Sequence, residues 1–486
     1  MPFPFLRLPR ELRDLVYEHY VAEKGGYLYD FATYKLTTVD SQPIDLSLSR
    51  SCTLIATEMR GVALGTNAFR FKTGYTDDAR LRAGRFDRLL AKLNNTKCSI
   101  LSFGQACITA QDAADLASAY PQLVPLLTEL QRHHGYDCDA IYSVHSWGEA
   151  PSVLRQFIED TLSAISTHPN FVANLSHAPI WDWHNGPGSN PHEILSLPYK
   201  PWSIPTDGEN EDFDRAVAGA LPPWRRERYR FSAAAVAVQY LASLPHATRA
   251  QLRKIILEED RVSVANPECH AQGLIQYCQE NPQLRVERRV SLWRNVFRSG
   301  SAELNVIANN VENGTTNSAP LVAICATLEL GRWIVEAQAL PFFGMPSGAF
   351  SLVLDSDGIP RKTSQVFELL IQRDVAWQVA LEECYARSIL PMPSWFDRRR
   401  HGCYKYEGLP AAMRDIVDCT SNIRCDFDPG EMWDVEELIL KHRLCSSDEW
   451  SMLYTQDSHK QIIEPSSPLP TMLDICLEDV LLDEPD

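Results

Sequence analysis

Residues 270–293 read HAQGLIQYCQENPQLRVERRVSLW, and a change of rhythm inside them decides the fold class. A helix-like stretch, HAQGLIQYCQE, gives way to a short strand-like run, LRVERRVSLW. The same alternation recurs from residue 84 onward. FDRLLAKL (86–93) is followed by the apolar run CSILSF (98–103), and LRKIILEED (252–260) and FSLVLD (350–355) read as further strands. The chain therefore reads as α/β and α-rich, stacking helix–strand units as leucine-rich arrays do. The step from Leu252 to Leu284 is longer than a regular leucine-rich repeat, so no true solenoid is expected.

Toward the N-terminus the rhythm is different. LPRELRDLVYEHY (8–20) reads as a helix over residues 9–22, with Pro9 at the first position, where its missing N–H costs nothing. Leu8, Leu12, Leu15, Val16 and Tyr20 recur at three- and four-residue steps and form one apolar stripe, and Gly25 and Gly26 stop the helix. Residues 27–39, rich in aromatic and β-branched side chains, read as a hairpin or short strands. A second helix is expected over about 46–64, and NAFRF (67–71) alternates as a strand does. The design of the first helix is echoed by LPAAMRDIVD (409–418).

Bulk composition narrows the partners. The chain has 486 residues, 45% hydrophobic and 22% charged, which is ordinary globular usage and more than one core's worth of material. A net charge of -17 argues against nucleic acid or an anionic membrane as partner, since both demand basic surface. Thirteen cysteines without a CxxC, no signal-peptide core and no long uncharged apolar window point to an intracellular protein, cytoplasmic or nuclear, with reduced thiols. Residues 176–230 are rich in Pro, Trp, Gly and acidic side chains and read as a loop-rich excursion, while residues 447–486 form an acidic tail.

Catalytic signatures are absent from the sequence. There is no phosphate-binding glycine loop, HExxH or GxSxG, and DSDG (355–358) lacks the remaining ligands of a calcium loop. Two looser clusters stand out. His401, Cys403, Cys419, Cys425, His442 and Cys445 lack zinc-knuckle spacing, and seven histidines lie between His133 and His192 without an obligate spacing. Neither dictates a site, so no catalytic residue, metal or cofactor is expected. An enzyme with its site in the 133–192 segment is the least favoured reading.

The first seventy residues carry a resemblance. Leu8, Pro9, Glu11, Leu12, Arg13, Val16 and Tyr17, followed by Leu48, Cys52, Ile55, Glu58, Asn67 and Phe69, resemble the fungal F-box-like proteins. There an LPxELRxxIY helix leads through a variable insert, here residues 23–43, into an L..SC..I..E helix and an N.F.F strand. The resemblance implies a small N-terminal helical F-box-like module over 1–72, followed by an irregular helix–strand body over 73–446 that recognises or scaffolds other proteins. It implies a non-enzymatic adaptor, the substrate-recognition subunit of a Skp1–cullin ubiquitin ligase. Leu8, Pro9, Leu12 and Val16 would then dock a Skp1-like adaptor while the body holds an unknown protein substrate. The alternative is a stand-alone interaction scaffold that binds no Skp1-like adaptor.

Overall fold

Arg285–Ser291 (RVERRVS) shows how the sheet is built. Val286, Arg288 and Val290 are buried on one face, while Glu287 and Arg289 lie on the other and stay partly exposed. The computed structural model describes residues 5–132, 146–176, 190–217, 222–300, 304–314, 323–458 and 463–482. Within them seven strands form one sheet: β1 (Tyr27–Asp30), β2 (Lys35–Thr38), β3 (Ala68–Lys72), β4 (Lys254–Glu259), β5 (Arg285–Ser291), β6 (Phe350–Asp355) and β7 (Ile423–Cys425). Their order is β2-β1-β3-β4-β5-β6-β7. Only the β1–β2 pair is antiparallel. The chain is thus α/β and α-rich, as its sequence indicates.

Strand order has a direct consequence. Parallel crossovers are right-handed, so strands added one after another along the same edge send their connecting helices to the same face. Tyr27, Tyr29, Phe69, Phe71, Ile255, Leu257, Val290, Leu352 and Leu354 point into that helical layer and join the main apolar core. The helix Ala233–Ser243 packs on β3 and β4, and its small side chains (AAAVAVQYLAS) permit the close approach. The opposite face carries Arg70, Lys72, Lys254, Glu258, Arg285, Glu287, Arg289, Asp355 and Arg424. Strands are stacked in sequence as in helix–strand arrays, but the segment between β3 and β4 spans residues 73–253. It includes α4 (Asp77–Gly104) and the helix Pro151–Ser166.

Two local expectations are corrected. CSILSF is no separate run: it continues α4, where Ile100 and Leu101 are buried, because a helix enclosed on several sides loses its polar stripe. The single helix expected over 46–64 is three pieces: a 3-10 turn at Leu48–Arg50, α2 (Thr53–Glu58) and α3 (Val62–Thr66). Cys52 is extended before α2, and Gly61 before α3 has φ +82°, a conformation that interrupts any helix.

The 176–230 excursion contains the helices Pro191–Leu195 and Asp207–Val217; the latter packs along α4, with Phe213 stacked on Tyr199 at 4.0 Å. Residues 177–189 and 218–221 lie outside the described residues. At the acidic end, the helix Met472–Leu477 buries Met472, Ile475 and Cys476 in the main core. Arg230 and Arg298 meet Asp479, and Arg261 and Arg294 meet Glu478.

The centre of the sheet is held by a buried ion pair. Arg288 donates from Nε and Nη2 to Oε1 of Glu259 at 2.9 and 2.6 Å, and also to the carbonyls of Glu268 and Pro267. Glu259 in turn accepts from the N–H groups of Ala233 and Ala234, at the positive end of that helix. The guanidinium lies 4.5 Å from the Trp333 ring centre. One pair thereby joins two strands and three helical segments. Removing one partner strands a buried charge. Arg288→Met is therefore expected to cost about 3–5 kcal/mol of stability in a denaturant melt, and a loss under about 1 kcal/mol would show that the pair is not holding the sheet.

Candidate functional site

The N-terminal helix divides its residues between two tasks. α1 (Arg10–Val21) places Arg13, Tyr17 and Val21 at four-residue steps on one face, which turns inward. Tyr17, Val21, Ile55 and Met59 form a small apolar cluster separate from the main core. Over it sits Glu58, whose side chain is almost enclosed. Arg13 donates from Nε to Oε2 at 2.9 Å and from Nη2 to Oε1 at 2.5 Å, and Tyr17 donates its O–H to Oε2 at 2.7 Å. Arg10 adds a bond to the Glu58 carbonyl. The Arg13 bonds, then Tyr17, hold the Glu58 carboxyl far below the usual range, at about 2. Burial, then Glu58, raises the Tyr17 phenol.

Asn67 performs the second fastening. Its amide donates to the carbonyls of Val21 and Ala63, and its oxygen accepts from Glu23 N–H, tying the end of α1 to the start of β3. Gly26 (φ +80°) lets the chain pass the backbone of Ala68, where a Cβ would clash with its carbonyl oxygen at 2.2 Å. The insert of residues 23–43 is therefore the β1–β2 hairpin that begins the sheet.

With its polar edge turned in, α1 turns its apolar stripe out. Leu12, Leu15 and Val16 are 47%, 52% and 43% exposed, Pro9 is exposed, Leu8 is half-buried, and Leu6 extends the patch. The echo at Leu409–Val417 makes the contrast. Met413 and Ile416 occupy the places of Leu12 and Leu15, yet are 0% and 3% exposed beneath neighbouring helices. The same local pattern is core in one copy and surface in the other.

A second exposed feature is the uncovered face of the sheet. Glu258 pairs with Arg70 and Lys72. Glu287 pairs with Arg289 at 2.8 Å and Lys254 at 3.4 Å, and Arg289 reaches Asp355 at 3.3 Å. Arg285 and Arg424 are exposed at its ends. Ile256 and Val353 are buried on this face and lie outside the main core. In a chain of net charge -17 this face carries more cations than carboxylates.

The other sequence clusters do not converge. Among the described residues no group of three or more His, Cys, Asp or Glu side chains could hold a metal ion. Within the 401–445 set, His401 bonds the Ser447 carbonyl and His442 stacks on Trp377. Of the seven histidines between 133 and 192, His168 and His192 are described. His168 accepts from Asn170 N–H in a turn, and His192 packs on Phe171. The remainder lie outside the described residues.

One serine–histidine pair, thirty-eight positions apart in the chain, carries no sequence signal. Ser232 and His270 are 2.7 Å apart, both buried, with the far ring nitrogen bonded to the Ala265 carbonyl. Burial, opposed by that carbonyl bond, pushes the imidazole down to about 3, so it is neutral. Ser232 also caps the helix Ala233–Ser243. The pair therefore works as a capped helix start. The described cysteines are free thiols, and no described helix is long and apolar enough to cross a membrane. No family model, curated protein or solved structure matches the chain.

The Glu58 fastening has a pH signature. Its folded carboxyl titrates near 2 against 4.5 for the free group, so its contribution is complete above pH 4.5 and disappears as pH falls toward 2. Glu58→Gln should remove that acid dependence and speed amide exchange across α1 at pH 7. Wild-type exchange in α1 that is flat between pH 4.5 and 2, after correction for intrinsic rates, would contradict this role.

Proposed function

We propose that the chain is a non-enzymatic adaptor. In this reading the N-terminal stripe docks a Skp1-like protein, and the uncovered sheet face receives a protein substrate for ubiquitin transfer. The observation that carries it is the exposure of Leu12, Leu15 and Val16 on a helix whose other side is fastened through Arg13, Tyr17 and Glu58. A purely structural helix would bury that stripe, as Leu409–Val417 does. Exposed apolar side chains grouped on one helix face are a common means of seating a partner helix.

The resemblance of this segment to fungal F-box-like proteins supplies the identity of the partner. Pro9, Leu12 and Val16, with the half-buried Leu8, are its contact residues. Free thiols fit a reducing compartment, and we place the protein in the cytoplasm or nucleus on that ground. The stand-alone scaffold remains the second reading, because the same stripe could seat a different protein.

Copurification with a Skp1-like adaptor tests the reading. The wild type should retain the adaptor, and Leu12→Asp/Val16→Asp should lose it by at least about 30-fold, since two apolar anchors of this size contribute roughly 2 kcal/mol or more. Thermal stability should change little, because both side chains are already exposed. Equal retention by wild type and variant, or none by the wild type, returns the chain to the scaffold reading.

A further inference from the structure

Away from both surfaces, two of the enclosed polar side chains without a partner lie beside one cavity. Arg155 lies on the helix Pro151–Ser166. Its Nη2 is closed off from solvent and has no hydrogen-bond partner among the described residues. The nearest carboxylate oxygen in an ion pair, Oε1 of Glu336, is 4.0 Å away. Glu336 is already engaged, accepting from Ser152 N–H at 2.7 Å and Ser152 Oγ–H at 2.6 Å. Gln272 Nε2 is a second enclosed donor without an acceptor among the described residues. Both side chains line one cavity of about 50 Å³, together with Lys97, Lys200 and Trp202.

Three cations, Lys97, Arg155 and Lys200, line this cavity with one carboxylate, Glu159, and Glu336 and Glu268 also act on Arg155. Lys97 and Lys200 share a single carboxylate, Glu159, at 2.7 and 3.8 Å. Burial, opposed by Arg155, pushes the Glu336 carboxyl up to about 7. Donors of this kind, enclosed and unanswered, are costly unless something completes them. The cavity is also not sealed: Lys97, Gln156, Glu159 and Lys200 continue into an adjoining groove of about 440 Å³ whose apolar side chains are Leu162, Leu195 and Leu197.

We propose that this cavity binds a small molecule bearing an oxyanion, either a phosphate monoester or a carboxylate. On binding, the partly exposed side chains of Arg155 and Gln272 turn these donors to its head group, and its body lies along the groove beside Leu162, Leu195 and Leu197. The guanidinium fork matches the spacing of two oxyanion oxygens, and Lys97 and Lys200 supply the surrounding positive field. The cavity lies apart from α1, so this site stands or falls independently of the adaptor reading.

Calorimetric titration of the full chain at fixed ionic strength, with phenyl phosphate and benzoate as probes, tests the site. Saturable binding of phenyl phosphate alone identifies a phosphate ligand, and of benzoate alone a carboxylate ligand. Arg155→Met and Gln272→Leu should each weaken the bound probe at least about tenfold. Should Arg155→Met fail to fold, the uncharged Gln272→Leu exchange carries the comparison. No saturable binding of either probe by the wild type up to about 10 mM, or unchanged affinity in Gln272→Leu, would mean that these donors stay enclosed without a ligand and would overturn the proposal.

Discussion

Each parallel strand of this protein lies beside the one before it in sequence, and much of the architecture follows from that ordering. With right-handed crossovers and no reversal, the helices gather on one side of the sheet. The other side is left largely to face water, which explains why β3 and β5 alternate Phe and Val with Arg, Lys and Glu, while β4 and β6 each add one apolar side chain, Ile256 and Val353, to that face. A doubly wound sheet, covered on both faces, would read as continuous apolar runs. The ordering also brings α1 and the β1–β2 hairpin to the first edge, where they are joined to β3. The Glu259–Arg288 pair then secures the middle of the sheet from its covered side.

At that first edge, orientation is decided by what each face of α1 meets: the inward face joins Tyr17 and Val21 to Ile55 and Met59 and sets Arg13 on Glu58. The apolar stripe of α1 is as suited to burial as that of Leu409–Val417, and a simple hydrophobic count would bury both. What differs is the partner across the contact. Leu409–Val417 is enclosed by the helices Ala323–Ala339 and Arg373–Ala386. α1 packs on the short helices of its own module, where Glu58 engages one side, the side with Arg13 and Tyr17. An exposed stripe is then the cost of a satisfied carboxylate. In the adaptor reading, a second protein covers the stripe.

Several features were legible in the sequence because they are local. The strand at 285–291 declares itself by alternation, and those at 254–259 and 350–355 by short apolar runs with β-branched content. The first helix does so through Pro9 and its periodic leucines, and the aromatic stretch at 27–38 forms the expected hairpin. Features that depend on distant partners were not legible. CSILSF reads as a separate apolar run because the helix around it is enclosed on several sides, and nothing local marks Gly61 as left-handed. The outward face of α1 could not be read from its own residues, since the deciding group, Glu58, is forty-one positions beyond Tyr17. Arg155 and Gln272 gave no sequence signal: each is an ordinary polar residue until the fold encloses both beside one cavity.

The orientation of α1 is the claim on which the functional account rests, and thiol accessibility measures it directly. Cysteines placed singly at Leu15, Val16 and Val21 would be labelled in the folded chain and quantified peptide by peptide, to separate them from native thiols such as Cys52. Cysteine at Leu15 or Val16 should react nearly as fast as in the unfolded chain, and cysteine at Val21 should be strongly protected. Protection at Leu15 and Val16 matching that at Val21 would mean the stripe is covered by the chain itself, and the account would fail.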